Sequence, residues 1–97
     1  MSAPDFVAIG HITLDRFGDV VRPGGAALYA AVTAARMGLS AGILTSVASD
    51  YPLEAIPPDI EVIATPSPAS TVFEYETGPS GRVMRVRTRA RPLSPAD

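Results

Sequence analysis

The sequence contains no cysteine and no lysine, and its one histidine is His11. Without cysteine the chain forms neither disulfide bonds nor thiolate metal sites, and a single histidine argues against a zinc site. No apolar run approaches the ~20 residues that a helix needs to cross a bilayer. The amino terminus lacks the basic start and the long apolar core of a signal peptide. We therefore expect a cytoplasmic protein with no membrane partner and no metal site of its own.

The arginines are distributed unevenly along a chain whose 97 residues suffice for one domain. Five of the eight lie between residues 82 and 91, whereas the first 81 residues carry three arginines and nine acids. The row from Arg85 to Arg91 could bind anions or nucleic acid. We favour a solvated sheet face, neutralised in part by Glu74 and Glu76, because no aromatic side chains alternate with these arginines. The net charge of −2 gives no general attraction to nucleic acid.

The first 64 residues alternate between apolar runs and one helical pattern. Phe6 to Ile9 is typical of a short buried strand, and residues 42–47 and 61–64 predict two more. A helix from about Ala26 to Met37, burying Leu28, Val32 and Ala35, connects the first two strands in a right-handed βαβ unit. The sequence thus predicts an α/β fold with parallel strands and a core at about residues 5–64. With one substantial helix, one sheet face should lack cover.

The connecting segments are less regular. Residues 11–15 either continue as extended chain or turn away, and residues 19–21 are a candidate small strand. Three prolines between residues 49 and 58 indicate a loop with one helical turn near residues 53–55.

A β-hairpin is expected near the end of the chain, with arms at residues 71–77 and 82–90 around a four-residue loop. Apolar side chains match across the arms only when the numbers of paired residues sum to an odd value, as for Phe73 with Val86 or Glu74 with Arg85. A slip of one residue would place arginines against Phe73.

Gly24 and Gly25 open the predicted helix, and Gly38 follows it in the C′ position. Two glycines permit positive φ and a close approach of a ligand to the backbone, while the helix start directs free N–H groups at that spot. Asp15 is a lone carboxylate just after the first apolar run. Together these residues predict a site for a polar small molecule at one end of the sheet. Ordinary turn and cap chemistry is the alternative explanation.

These motifs resemble a known family. FVAIGHITLD at residues 6–15, GGAALYAAVTAARMGLSAGILTSVASD at residues 24–50 and the following hairpin are similar to the N-terminal third of the ribokinase-like PfkB carbohydrate kinases. The resemblance implies a ribokinase-like N-terminal βαβ unit with parallel strands plus a β-hairpin lid at about residues 71–90. It also implies that Asp15 binds sugar hydroxyls and that Gly24 and Gly25 pack against the sugar.

Three positions depart from ribokinase itself. Thr13 stands where the first strand usually carries asparagine, and Ala26 and Tyr29 replace a lysine and an asparagine. Thr13 and Tyr29 are candidate substrate contacts that would not hold ribose in the same way. Tyr29 is equally consistent with core packing. We interpret His11 as a structural residue at a strand end.

The resemblance implies the substrate-binding and lid portion of an ATP-dependent sugar or nucleoside kinase, with a possible homodimer through the lid sheet. ATP and Mg²⁺ would serve the full-length enzyme, and its base would be the aspartate of a Gly-Ala-Gly-Asp motif. The sequence has neither that motif nor a Walker or Gly-x-Gly-x-x-Gly pattern. We therefore expect no catalytic residue in this chain, no binding of ATP or Mg²⁺ by the chain alone, and no activity in isolation. The alternative is a non-catalytic binding module derived from a truncated or degenerate kinase.

Overall fold

Two β-sheets and one α-helix form the described part of the chain, residues 3–97, in a computed structural model. The elements are β1 (Phe6–Ile9), β2 (Thr13–Phe17), β3 (Val20–Gly24), α1 (Ala26–Arg36), β4 (Ala41–Val47), a 3₁₀ turn (Leu53–Ala55), β5 (Glu61–Pro66), β6 (Thr71–Gly78) and β7 (Gly81–Thr88). The first sheet has the order β1-β4-β5 and the second the order β3-β2-β6-β7.

The first sheet is parallel throughout, as the sequence predicts. Helix α1 connects β1 to β4 and buries four residues, Ala27, Leu28, Ala31 and Ala34. The expectation that Val32 and Ala35 are buried is wrong, because both are half-buried at the edge of the core. The alanine stripe lets the helix approach the sheet more closely than a valine stripe would, so the smaller side chains take the central positions.

Both ends of α1 depend on left-handed glycines. Gly25 precedes the helix with φ 98°, and Gly38 follows it with φ 90°. The Leu39 N–H donates to the Ala34 carbonyl at 3.1 Å and the Gly38 N–H to the Ala35 carbonyl at 3.0 Å, which together form a Schellman motif. The prediction that Gly38 occupies the C′ position is confirmed.

The face of the first sheet opposite α1 carries exposed apolar side chains. Ile9 and Ile63 are 68% and 58% exposed and flank Leu44 in register, with Val7 exposed beside them. The expectation that one sheet face lacks cover is confirmed. In the described residues, no helix is long and apolar enough to cross a membrane.

The second sheet contains two hairpins joined through parallel pairing of β2 with β6. Strands β2 and β3 are longer than the sequence indicates for this region. Strand β2 is hydrogen-bonded on both sides, and this tertiary pairing extends it through Asp15 and Arg16, which local propensity disfavours in strands.

From Phe73 to Gly78 the β6–β7 hairpin has the predicted register, with Phe73 opposite Val86 and Glu74 opposite Arg85. The prediction is wrong before Phe73, because the register shifts there and Val72 pairs with Thr88. The turn is tighter than expected because Gly78 pairs with Gly81, so that only Pro79 and Ser80 connect the strands. Pairing one more residue on each side leaves the register unchanged. Strand β7 ends at Thr88 rather than at Ala90.

Candidate functional site

Asp15 and Gly24 lie against each other where β2 and β3 pair. Thr13 is the register partner of Gly24, and Asp15 follows two residues later on the same face of β2. A Cβ atom on Gly24 would overlap the Asp15 carboxylate. Gly24 therefore provides the space that the Asp15 carboxylate occupies. The expectation that both glycines use positive φ holds only for Gly25.

Gly25 brings bare backbone to the start of α1. Its φ of 98° is left-handed, and a Cβ there would lie 2.8 Å from the His11 carbonyl oxygen. Its own carbonyl accepts the Tyr29 N–H at 3.1 Å, and no side chain caps the helix start. The first N–H groups of α1 thus have no side-chain acceptor, and the positive end of the helix dipole favours electronegative atoms of a ligand.

The Asp15 carboxylate is buried, with the residue 8% exposed. The Thr13 hydroxyl donates to Asp15 Oδ1 at 2.8 Å. Of the ion pairs within residues 3–97, none involves Asp15. A carboxylate accepts several hydrogen bonds, so this group retains acceptor capacity for the hydroxyls of a ligand.

A cavity of about 320 Å³ opens beside this carboxylate. Four of the five sequence-predicted site residues line it, and the fifth, Gly24, lies behind the carboxylate. Tyr29 is 59% exposed at this cavity, so it does not pack in the core. The remaining lining residues are Phe17, Phe73, Tyr75 and Arg82.

Sequence reasoning missed the aromatic and cationic part of this cavity. The rings of Phe17 and Tyr75 stack with centroids 4.8 Å apart and planes 6° apart. The Arg82 guanidinium lies 4.8 Å from the Tyr75 centroid, and that of Arg22 lies 5.9 Å from the Phe17 centroid. Parallel pairing between β2 and β6 brings these side chains together, and no local pattern specifies that pairing.

Tyr51 was also missed, because it follows a strand in a segment rich in proline. The residue is 5% exposed, and its hydroxyl has no hydrogen-bond partner among the described residues. Burial, and then the negative charge of Asp15, raise the pKa of Tyr51 to about 12. The negative charge of Asp15 therefore disfavours ionisation of the buried Tyr51 phenol, in addition to lining the cavity.

The arginine row lies largely on the other face of the hairpin. Arg85 contacts Glu76 at 4.0 Å and Arg87 contacts Glu74 at 3.8 Å, which supports the interpretation as a neutralised, solvated face. Arg91 instead binds Asp97 at 2.8 Å, which lowers the pKa of that carboxyl group.

His11 has a structural partner. Its Nε2 lies 2.9 Å from the carbonyl oxygen of Arg91 and donates to it, so the ring connects the end of β1 to the segment after β7. The structure agrees with a structural role for His11.

A larger cavity, of about 580 Å³, lies across the second sheet and is lined by Leu14, Arg16, Val72 and Arg87 among others. Its one carboxylate, that of exposed Asp50, already accepts the Ser70 hydroxyl at 2.8 Å. We place the candidate site in the smaller cavity, because its buried carboxylate and bare helix start form a specific set of polar groups. Within residues 3–97, no group of three metal-binding side chains clusters.

This arrangement of sheets, helix and hairpin has counterparts in solved structures. A pyrophosphate-dependent kinase in the ribokinase family, in complex with a pyrophosphate analog and myo-inositol, superposes with a TM-score of 0.76 and 18% identity over 94% of this chain. The fold is that of the N-terminal part of the ribokinase-family kinases. It confirms the predicted α/β class, with its parallel strands and hairpin.

Two further ribokinase-fold structures are similar over most of this chain. Fructokinase from Vibrio cholerae O395 has a TM-score of 0.69 and 18% identity over 90% of the chain. A sugar kinase from Pyrococcus horikoshii in complex with ATP has a TM-score of 0.62 and 17% identity over 88%. The chain spans 34–35% of the length of these three kinases. No family model matches the sequence, and no curated protein matches it.

Proposed function

We propose that this chain is the substrate-binding and lid portion of a cytoplasmic, ATP-dependent kinase that transfers phosphate to a hydroxyl of a sugar or nucleoside. The single observation that carries the proposal is the contact of the buried Asp15 carboxylate with Gly24 beside the uncapped start of α1. Similar folds in kinases that act on sugars or bind myo-inositol support it.

The corner formed by Asp15 and Gly24 is suited to vicinal hydroxyls. Thr13 occupies one side of the carboxylate, and the remaining lone pairs accept hydrogen bonds from two neighbouring hydroxyls of the substrate. The N–H groups at the start of α1 donate to a third oxygen. Because Gly24 and Gly25 carry no side chain, Asp15 and Thr13 pack directly against the backbone at the start of α1, which holds the carboxylate beside the cavity.

The β6–β7 hairpin is the proposed lid. Phe73 and Tyr75 line the cavity with the face that also carries Met84 and Val86. Closure of this face over a bound sugar would stack apolar C–H groups on the rings and exclude water, which competes as a phosphoryl acceptor. Tyr29 stands at the same cavity, where a phenol can contact the substrate.

We assign phosphoryl transfer to parts of a longer enzyme. Residues 3–97 offer no cluster for Mg²⁺, and the sequence has no Gly-Ala-Gly-Asp motif, so we derive no step through ATP within this chain. The expected behaviour is substrate binding without turnover. Phosphorylation of any sugar by the purified 97-residue chain with ATP and Mg²⁺ would contradict this assignment.

We also propose that the protein forms a homodimer through the apolar face of the β6–β7 hairpin. Met84 and Val86 are 54% and 42% exposed at the outer end of that face. Light scattering should then detect a dimer that Met84→Glu converts to a monomer, whereas Arg85→Glu on the other face leaves it intact. A monomer at all concentrations would overturn this part.

Isothermal titration calorimetry of the chain with fructose, myo-inositol and adenosine tests the proposed site. We expect at least one compound to bind, and Asp15→Asn to weaken its binding at least about tenfold, because hydrogen bonds to a charged group contribute about 1.5–3 kcal/mol. The matched control is Asp19→Asn, which changes an exposed aspartate in the β2–β3 turn. No binding, or equal losses in both variants, would refute the proposal.

A further inference from the structure

Two arginines share the face of the second sheet that carries Asp15. Side chains of register partners point to the same face. Asp15 pairs with Arg22 on one side and with Phe73 on the other, and Arg82 pairs with Thr77, two residues after Tyr75. Arg22 and Arg82 therefore stand on the Asp15 face, one on each edge strand, with the aromatic rings between them.

Each arginine lies over an aromatic ring at the distances given above, Arg82 over Tyr75 and Arg22 over Phe17. Stacking occupies the flat face of a guanidinium and leaves its N–H edges free for hydrogen bonds in the plane. The rings of Phe17 and Tyr75 stack on each other, so the four side chains form one layered group. This layering holds the Arg82 head at the edge of the cavity that Asp15 lines.

The charges on this face are unbalanced. Within residues 3–97, neither Arg22 nor Arg82 has a carboxylate within 4.0 Å, whereas Arg85 and Arg87 on the other face each contact a glutamate. Arg82 also borders a second cavity with Asp19, Glu74 and Glu76, but those glutamates are the ones that pair with the other arginines. The Asp15 face thus presents two guanidinium groups and one buried carboxylate.

We propose that Arg82, assisted by Arg22, forms an anion subsite, and that the substrate is a polyol carrying a carboxylate or a phosphate group. Asp15 binds the hydroxyl end of this molecule, and Arg82 binds its anionic group through two parallel N–H bonds. This inference rests on the proposed function, since it specifies the substrate class of the same site. With a neutral sugar bound, the N–H groups of Arg82 and Arg22 would form hydrogen bonds only to water.

Binding of glucose, gluconate and glucose 6-phosphate to the 97-residue chain, measured by calorimetry at low salt, tests the subsite. We expect one of the two acidic compounds to bind at least about tenfold more tightly than glucose, because charge-assisted hydrogen bonds are worth about 1.5–3 kcal/mol. Tighter binding of gluconate indicates that the subsite prefers a carboxylate, and tighter binding of glucose 6-phosphate indicates that it prefers a phosphate. Inorganic phosphate alone should bind much more weakly than the preferred compound.

Arg82→Gln should remove the preference for the acidic compound, so that its affinity falls at least about tenfold more than the affinity for glucose. The matched control, Arg85→Gln, changes an exposed arginine on the other face of the hairpin and should preserve the preference. Equal affinities for all three compounds, or equal effects of the two variants, would overturn the subsite. If all three bind equally and Asp15→Asn weakens each of them, the proposed function stands and only the subsite is wrong. If none of the three binds but fructose, myo-inositol or adenosine does, only the subsite is wrong. Absence of binding by all six compounds counts against both.

Discussion

Thr13 donates a hydrogen bond of 2.8 Å to the Asp15 carboxylate from two residues earlier on the same strand. Both residues are buried, so this bond fixes the orientation of the carboxylate. With Oδ1 held by Thr13, the other oxygen, Oδ2, is directed at the position where Gly24 lacks a Cβ atom. The carboxylate is thereby oriented before any ligand binds.

Thr13→Val removes the hydroxyl donor and keeps the shape of the side chain. We expect a loss of about 1.5–3 kcal/mol in the free energy of unfolding, since a buried carboxylate loses a hydrogen bond. Urea unfolding followed by circular dichroism measures the change. Thr33→Val is the control, because the Thr33 hydroxyl bonds to the Tyr29 carbonyl at an exposed site, where changes stay within about 0.5 kcal/mol. Equal stabilities of the two variants would contradict the assigned bond.

Gly24→Ala places a methyl group on the Asp15 carboxylate. The expected cost is about 1–3 kcal/mol of stability, as for other overpacked sites, together with loss of sugar binding. Gly78→Ala provides the matched comparison, since a Cβ there comes no closer than 3.9 Å to other atoms and Gly78 does not use positive φ. If both alanine variants unfold at the same urea concentration, Gly24 does not lie as close to the Asp15 carboxylate as we describe.

We expect Tyr51 to lower the stability of the protein at alkaline pH. Its folded-state pKa is raised from 10.0 to about 12, so the unfolded chain loses its phenolic proton first. The associated stability is complete below pH 10 and is lost as the pH rises to 12, with a slope of at most about 1.4 kcal/mol per pH unit. Because the chain has no cysteine and no lysine, few other side chains titrate in this window.

Tyr51→Phe should remove most of this slope without lowering stability at pH 7, since the deleted hydroxyl has no partner in the described part of the chain. Urea unfolding of both proteins between pH 8 and pH 12 measures the effect. Parallel curves for the two proteins would contradict the raised pKa of Tyr51. A loss above about 1 kcal/mol at pH 7 would show that the hydroxyl forms a hydrogen bond.

Local patterns predicted the elements whose lengths depend on their own sequence. The alanine-rich helix ends where Gly38 turns left-handed, and the alternating arms of the β6–β7 hairpin specify one register. Strand β2 was not predicted at its full length, because it carries charged residues and is stabilised by partners on both sides. Its parallel pairing with β6 joins segments that are far apart in sequence, and periodicity contains no information about such pairing.

The part of the candidate site that is local in sequence was predicted, and the part that depends on strand pairing was not. The predicted site residues lie close to one another along the chain. The structure brings Thr13, Asp15, Gly25 and Tyr29 to one cavity and places Gly24 behind the Asp15 carboxylate. Tyr75 and Arg82 reach that cavity only through the pairing of β2 with β6, and Tyr51 approaches Asp15 through the core. These contacts depend on tertiary structure, which local sequence patterns do not specify.

NMR tests most directly whether a polyol binds at Asp15 and the start of α1. Titration of the ¹⁵N-labelled chain with the polyol that binds best should shift the amide signals of Thr13, Gly24, Gly25 and Tyr29. The same titration of Asp15→Asn should leave those signals in place. Saturable shifts confined to another face of the protein, or identical shifts in Asp15→Asn, would contradict the account.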